Sequence, residues 1–498
     1  MNFQTTKTLL TQRRKLKKFR LDRPKEECGI FGVSKHEDAS ALVALGLHAL
    51  QHRGQEGCGI SSFDGKSFHL EKRQGLVGDH FTDSTTIKKL PGNTAIGHNR
   101  YSTTGEVSLR NIQPFFADLY SSGVSLAHNG NLTNAIELRD NLVKNGAIFR
   151  TTSDTETIVQ LIAKSNRNKM TDKIIDALFQ IQGGYALVMM TKKKLVGIRD
   201  PFGIRPLVIG KLKNSYIFAS ETCALDIIGA KFVREVDNGE IVVIENEKLN
   251  SVKPFPAKKV RPDAFEYIYF SRPDSILKNK CAYEHRKKMG EELAKETDIL
   301  ADIVIPVPDS GVPAALGYSQ YSKKSFELGL IRNHYVGRTF IEPTQSIRSF
   351  GVKLKLNATQ TLVNNKKIIL VDDSLVRGTT CHKIVKMLYD AGAKEVHVRI
   401  ACPEILYPDF YGVDMPTKKE LLASGKSNEE MCNHINAKTL KFLSLEGLYK
   451  AIGFEKRNKL YPQLCDHYFT GEYPVKPTDL LGKEKITQLS LLSSKSSN

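Results

Sequence analysis

The chain has 498 residues, too many for one ordinary core at the ~100–200 usual for a domain, so two or three domains are expected. Hydrophobic residues at 40% and charged residues at 26% suit a water-soluble globular protein, and no apolar run reaches the length of a membrane span. The net charge of +19 suggests nucleic acid as a partner; however, nine Lys/Arg against three Asp/Glu fall in residues 1–27, and the moderately basic remainder suits anionic phosphate substrates equally well.

The leader, MNFQTTKTLLTQRRKLKKFR, has no apolar h-region and so is not a secretory signal. Being rich in Lys/Arg and poor in acids, it also fits an organelle transit peptide, as a second reading. The eight cysteines are scattered, the nearest two (Cys381 and Cys402) standing 21 positions apart. With no CxxC pair, neither a zinc ribbon nor a disulfide framework is indicated. Reduced thiols in a cytoplasm fit best.

From residue 28 to about 258 the chain reads as short apolar strands with helices between them. ECGIFGV is a strand beginning at Cys28, and residues 38–52 carry Ala39, Leu42, Val43, Gly46, Leu47 and Leu50 on one helical face. There follow QHRGQEGCGI (51–60), AIGHNRYST (95–103), LAHNGNL (126–132), TTSDTET (151–157), GGYALVMM (183–190) and RDPFGIRPLVIG (199–210). Helical stretches stand at 133–144 and 153–164, and Pro201 and Gly203 suggest a hairpin turn. Many strands and few helices fit layered sheets with helices outside, an α+β plan. Cys28 is the residue with chemistry to explain. A thiol nucleophile needs a base, and no histidine adjoins it in sequence. Removal of the leader after Glu27 would give Cys28 a free α-amine, whose pKa of about 8 suits a general base. Against this, a cysteine in a strand is ordinarily a small buried hydrophobe.

CGIFGV, LHALQHRGQEGCGI, GHNRYSTTG, AHNGNL, SDTE and DPFGIRPL, in this order, resemble the N-terminal-nucleophile glutamine amidotransferases. The resemblance implies an αββα sandwich in which Cys28 attacks the glutamine side-chain amide. It implies that Arg100 holds the substrate carboxylate as a bidentate pair and that Asp154 takes its α-amine. Asn129 and the Gly130 N–H would form the oxyanion hole. His48, His52, His98 and His128 are read as orienting neighbours and not as bases.

A linker rich in proline and charge, SVKPFPAKKVRPD (251–263), separates the halves. After a helix around 282–297, Ile303–Val307 is a strand, PDSG (308–311) a tight loop, and another helix follows. Farther on, Ile368–Val371 ends in two carboxylates, Asp372 and Asp373. A polar loop (Ser374–Thr380) comes next, then a helix from Thr379 with Cys381, Ile384, Val385, Leu388 and Tyr389 on one face. Gly392 stops it, and residues 396–400 alternate as a strand. That is the size of a parallel βαβ unit, an α/β element. Backbone N–H groups opening a helix make an anion site, to which Ser374, Thr379 and Thr380 add hydroxyls, while Gly378 lets a ligand approach. Adjacent carboxylates repel phosphate; they suit sugar hydroxyls or a Mg²⁺ ion carrying a polyphosphate. A phosphorylated ribose satisfies both.

VDDSLVRGTT (371–380) resembles the 5-phosphoribosyl-1-diphosphate (PRPP) loop of the type I phosphoribosyltransferases, which brings Arg377 into the phosphate-binding set. By the same resemblance Asp309, Ser310 and Gly311 match the loop that grips pyrophosphate. The stretch 335–357, with Gly337, Gly351, Arg338, Arg348, Lys353 and Lys355, resembles the flexible loop that folds over bound PRPP. Past 402 the chain reads as polar helices and a Ser-rich disordered tail from about 484.

Residues 28–475 together resemble the amidophosphoribosyltransferase family, which implies a leader or propeptide (1–27), a glutamine amidotransferase domain (28–258), a phosphoribosyltransferase domain (259–475) and a tail (476–498). The implied enzyme frees ammonia from glutamine at Cys28 and uses it to displace pyrophosphate from C1 of PRPP. The product is 5-phosphoribosylamine, the first committed step of purine synthesis. One Mg²⁺ per subunit is implied, bound with PRPP at Ser310, Asp372 and Asp373. Inhibitory purine nucleotides and a homo-oligomer are expected, with neither membrane nor nucleic acid as partner. One branch of the family binds a [4Fe–4S] cluster through four cysteines. Here Asp263 and Asp409 stand where that branch has cysteines, and Cys465 alone remains, so no iron–sulfur cluster is expected. The alternative from another class is a non-catalytic PRPP- or nucleotide-sensing regulator that binds nucleic acid.

Overall fold

In the computed structural model the described residues are 25–26, 28–101, 108–120, 122–333 and 356–480. The chain forms two compact units. One contains Lys25–Arg286, Tyr407–Met415 and the chain from Ile452; the other contains Lys287–Leu406 and Pro416–Ala451. The boundary falls inside the helix Ala282–Thr297. The leader up to Pro24, Glu27, the stretch 334–355 with Arg338, and the tail from 481 lie outside the described residues.

Two stacked antiparallel sheets make the first unit. In the seven-stranded sheet the order is Lys231–Glu235, Val208–Leu212, Ser215–Ala219, Gly29–Val33, Thr94–Arg100, Gly57–Phe63, Phe68–Gln74. In the six-stranded sheet it is Lys248–Val252, Ile241–Glu245, Lys194–Arg199, Gly183–Thr191, Ser122–Leu132, Phe115–Leu119. Side chains alternate across a strand, so an inner strand covered on both faces must be apolar throughout. Gly183–Thr191 shows this directly. Tyr185, Leu187 and Met189 pack outward under the helices Ala135–Lys144, Thr155–Lys164 and Met170–Leu178, with Leu142, Ile158, Ile162 and Ile174. Ala186, Val188 and Met190 point the other way, into a core shared with Ile30, Ile96, Leu207 and Phe218. The helix Ala39–Ala49 covers the outer face of the other sheet, where Val43 and Leu47 meet Phe31, Val33 and Ile60. The layers therefore run helix, sheet, sheet, helix.

Two details depart from expectation. The DPFGIRP segment does turn at Gly203 (φ +66°), with the Gly203 N–H donating to Asp200 O at 2.9 Å, but it is not a hairpin. The strand before it, Lys194–Arg199, pairs with Ile241–Glu245 and Gly183–Thr191; the strand after it, Val208–Leu212, belongs to the other sheet. Arg199 directs the crossover by donating to the carbonyls of Gly203, Arg205 and Val236. The stretch past 402 is also not all helix: Thr439–Phe442 pairs in parallel with Glu395–Ile400.

The second unit is a five-stranded sheet in which every pairing is parallel. In space the order is Ser325–Phe326, Ile303–Pro306, Lys367–Asp372, Glu395–Ile400, Thr439–Phe442. In chain order this reads 2-1-3-4-5, so the winding reverses between Ile303–Pro306 and Lys367–Asp372. In open α/β sheets ligands bind beyond the carboxyl ends of the two strands flanking such a reversal. The loops following these two strands are those containing Asp309–Gly311 and Asp372–Thr380.

Candidate active sites

In the first unit the glutamine-site candidates gather at one end of the sandwich. Cys28 is buried and immediately precedes the strand Gly29–Val33, with φ +75° and its Sγ 3.8 Å from Tyr101 O. Gly29 pairs with Asn99, so Arg100 ends the neighbouring strand beside Cys28. Arg100 is buried, and its Nη1 donates to Asn111 O at 2.5 Å. Asn111 in turn is doubly bonded to Thr152, its Nδ2 donating to Thr152 Oγ1 (2.9 Å) and its Oδ1 accepting from Thr152 N (3.1 Å). Two residues on, Asp154 stands just before the helix Thr155–Lys164, and its Oδ2 accepts from Leu132 N at 3.0 Å. A hydrogen-bonded path therefore ties the candidate carboxylate binder to the candidate amine binder and to the strand that carries Asn129 and Gly130.

Gln113 links the two sheets at this end. Its backbone carbonyl oxygen would collide with a Cβ on Gly59, and its Oε1 accepts from His128 N at 2.7 Å. Asn129 is fully buried, yet neither its amide nitrogen nor its amide oxygen has a hydrogen-bond partner among the described residues. Leaving such a group unsatisfied costs about 1–3 kcal/mol, so a donor held in this state is available to an incoming oxygen. Gly130 has φ +130°, and a Cβ there would collide with Gly184 O, so the backbone at this point admits only glycine. His128 is buried against Thr155 Oγ1 (3.0 Å), and burial pushes its pKa down despite Asp154 nearby. His98 is lowered further, by burial and then by Arg100 and His128. Neutral, enclosed imidazoles of this kind position neighbours. His52 meets Glu221 Oε1 at 2.6 Å, and the same carboxylate takes the buried Arg53 guanidinium.

In the second unit the two loops beside the winding reversal are joined by their strands, with Val307 N donating to Val371 O at 2.8 Å. Gly311 begins the helix Val312–Ser322, and a Cβ on it would stand 2.6 Å from Val371 O. Asp309 lies on the surface, its Oδ2 2.6 Å from Arg332 Nη1. Ser310 Oγ, by contrast, is buried without a hydrogen-bond partner among the described residues. Across the reversal Asp372, Asp373 and Ser374 are all buried. Asp372 Oδ1 accepts from Asp373 N (2.9 Å), and Asp373 Oδ1 accepts from Ser374 Oγ (2.5 Å). Among the described residues Asp373 Oδ2 has no hydrogen-bond partner. Each loop thus presents one buried hard oxygen that no described residue satisfies. Gly378 (φ +80°) opens the helix Thr379–Asp390, placing Thr379 and Thr380 in its first turn, while Arg377 Nη2 lies 3.6 Å from Glu420 Oε1. Cys402 sits behind the acid pair; burial, then Asp373 and Asp372, push its thiol well above the ordinary range.

The three positions set against the cluster-binding branch do come together, in the first unit. Asp263 bridges to Cys465 and takes Arg205 Nη2 and the Tyr468 hydroxyl (2.9 Å) on Oδ2. Burial raises its carboxyl to about 6 against the pull of Arg205. Asp409 Oδ1 lies 2.8 Å from His467 Nε2, and Cys465 Sγ lies 3.3 Å from His467 Nδ1. Among the described residues no group of three or more His, Cys, Asp or Glu is arranged to hold a metal ion.

Asn111, Gln113, Thr152 and Arg332 were not anticipated. Amides, hydroxyls and surface arginines are common, and nothing in the NIQPF string marks it as a bridge.

A family model described as a glutamine amidotransferase domain matches residues 98–226. An amidophosphoribosyltransferase of Rhizobium etli is 55% identical over 475 residues, 94% of this chain and 96% of that protein. A chloroplastic amidophosphoribosyltransferase of Glycine max is 48% identical over 92% of this chain and 80% of its own length. Among solved structures, the glutamine PRPP amidotransferase of B. subtilis complexed with ADP and GMP superposes with a TM-score of 0.86 at 44% identity, covering 90% of this chain and 98% of that one. With identity at this level across nearly the whole sequence, the chain belongs to the amidophosphoribosyltransferases.

Proposed function

We infer that the chain frees ammonia from glutamine and transfers it to C1 of PRPP, giving 5-phosphoribosylamine, glutamate and pyrophosphate, at the entry to purine biosynthesis. The observation that carries this reading is shared by both units. Each keeps buried polar atoms without partners among the described residues where a substrate would bind: the Asn129 amide in one, Asp373 Oδ2 and Ser310 Oγ in the other. A nucleic-acid-binding sensor has no use for the first set. The deciding assay is pyrophosphate release from PRPP with glutamine or ammonium as nitrogen donor. Release with neither would end the enzyme reading.

In this scheme Cys28 is the nucleophile, its own α-amine the base, Arg100 and Asp154 the clamp on the substrate's α-carboxylate and α-amine, and Asn129 with the Gly130 N–H the oxyanion donors. Asn129→Ala is expected to lower glutamine-dependent kcat by about a hundredfold or more, since one oxyanion donor typically contributes ~2.7–4 kcal/mol. Tm should hold or rise, because an unsatisfied buried amide is removed with it. A drop in Tm with little change in kcat would assign Asn129 to folding instead.

For PRPP, the Ser374–Thr380 loop with Arg377, Gly378, Thr379 and Thr380 takes the 5′-phosphate, and Asp372 and Asp373 take the ribose hydroxyls. Asp309, Ser310 and Gly311 take the pyrophosphate, with Arg338 closing from the 335–357 loop. Mg²⁺ fits Asp373 and Ser310, whose unpartnered oxygens are hard ligands, with Asp372 adjoining. Mg²⁺ held by few protein oxygens would keep water and substrate phosphate as its other ligands. When bound, the ion offsets charge on the departing pyrophosphate. EDTA is expected to abolish PRPP-dependent synthesis with either nitrogen donor and to leave basal glutamine hydrolysis; loss of both together would contradict this placement.

No iron–sulfur cluster is proposed. Support comes from Arg205 and His467, which pair with Asp263 and Asp409 in that neighbourhood. Anaerobically purified protein is expected to be colourless, and four irons per chain by elemental analysis would overturn this. A homo-oligomer, checked by light scattering, and a cytoplasmic location, checked by fractionation, complete the proposal. Among the described residues no helix is long and apolar enough to cross a membrane. Purine nucleotides are proposed as inhibitors, as the ADP and GMP bound to the B. subtilis relative suggest. Synthesis unaffected by either would remove that reading.

A further inference from the structure

Tyr407–Met415 belong to the first unit, although they follow the parallel strand Glu395–Ile400 in the chain. Asp409 shapes this segment from inside. Its buried Oδ2 accepts from Tyr411 N (2.8 Å) and Val413 N (2.7 Å), while Oδ1 faces His467 Nε2. The loop lies on the candidate oxyanion strand: a Cβ on Gly412 would stand 2.9 Å from Gly130 Cα, and Asn131 Nδ2 donates to Phe410 O at 3.0 Å. Its far end forms an antiparallel pair with the last residues of the leader, Val413 opposite Glu26 and Asp414 opposite Lys25. The Val413 N–H is taken by Asp409, and its carbonyl by Met415 N at 2.8 Å. Antiparallel ladders alternate bonded and non-bonded pairs, so the ladder bonds fall on Lys25 and Asp414.

We propose that Asp409–Asp414 is a backbone cradle for Lys25 and Glu26 at the end of the leader, with Asp409 as its positioning residue, and that this pairing speeds removal of the leader ahead of Cys28. The proposal rests on the reading that Cys28 works with a free α-amine. Hydrolysis of that amide consumes one water and leaves the Glu27 carboxylate and the Cys28 amine. Backbone pairing fixes register without reading side chains, and anchoring the chain on the leader side of the scissile bond lowers the orientational entropy that cleavage must overcome. Asp409 is suited to this task. Burial pushes its carboxyl up, but His467 and Arg205 hold it below its usual value, so it stays ionised and accepts both loop N–H groups.

Leader loss in the full chain is followed by intact-mass spectrometry after a pulse of synthesis. Lys25→Pro deletes the ladder N–H and is expected to slow cleavage by about tenfold or more, whereas Lys25→Ala keeps it and cleaves near the wild-type rate. Both changes leave with the leader, so glutaminase activity per cleaved chain must equal wild type. Asp409→Ala slows cleavage likewise and Asp409→Asn restores it, with ammonium-dependent synthesis reporting that the chain has folded. Wild-type cleavage in Lys25→Pro, or equal slowing in Lys25→Ala, overturns the cradle while leaving the α-amine reading intact. Fully active wild-type protein that still carries its leader ends both.

Discussion

Cys28→Ala is expected to abolish glutamine-dependent synthesis, lowering it by roughly 10⁴-fold or more, and to leave ammonium-dependent synthesis close to wild type. The size follows from the proposed role: without the thiolate no acyl-enzyme would form, and the residual rate would be whatever Asn129 and the Gly130 N–H achieve with water. The selectivity follows from the architecture. Cys28 immediately precedes a strand of the antiparallel sandwich, whereas Asp372–Thr380 runs from the end of a strand of the parallel sheet in the other unit. The ammonium-dependent rate should climb with pH in both proteins, because only neutral ammonia attacks C1. Cys28→Ser is the informative companion, since it preserves volume and polarity while weakening the nucleophile. The measurement is paired glutamate and pyrophosphate release; loss of the ammonium-dependent rate in Cys28→Ala would mean the substitution disturbs more than its own site.

Much of the second unit was legible because its signals are local. The shift from the continuous run Ile368–Val371 to a helical period after Thr379 marks strand, loop and helix within two dozen residues, and the structure has Lys367–Asp372 and Thr379–Asp390 there. Spatial order was not legible. That Ile303–Pro306 and Lys367–Asp372 flank the winding reversal depends on which strand pairs with which, and neither string encodes its neighbour. Thr439–Phe442 was read as helix because TLKF is short and half polar; it becomes a strand by pairing in parallel with His397–Ile400 at the sheet edge. The same limit produced the hairpin reading of DPFGIRP, since Pro and Gly announce a turn and say nothing about which sheet receives the chain afterwards. In the first unit Cys28, Arg100, Asn129 and Asp154 were named by resemblance. The bridges of Asn111, Gln113 and Thr152 that hold them are ordinary polar residues whose role exists only after folding.

The acid pair offers the sharpest test of the PRPP site. Asp373 is buried with one carboxylate oxygen on Ser374 Oγ and the other without a hydrogen-bond partner among the described residues, while Asp372 accepts from Asp373 N on its carboxylate and from Ala401 N on its backbone carbonyl. Burying a carboxylate this way is costly in the absence of a ligand, so a structural role predicts lower stability when it is removed and a binding role predicts the reverse. Asp373→Asn keeps shape and an acceptor for Ser374 but deletes the charge. Hydrogen bonds from hydroxyls to a charged acceptor contribute about 1.5–3 kcal/mol each. Synthesis with glutamine and with ammonium should therefore both fall by roughly a hundredfold or more, while basal glutamine hydrolysis continues. Tm of the unliganded variant should equal or exceed that of wild type. Addition of Mg²⁺-PRPP should raise wild-type Tm, as any ligand selective for the folded state does, and leave the variant unmoved. Asp372→Asn should follow the same pattern, with a smaller gain in Tm because its oxygen already accepts a backbone N–H. A variant that is destabilised yet still shifted by Mg²⁺-PRPP would place these carboxylates in the scaffold and return the ribose site to other residues.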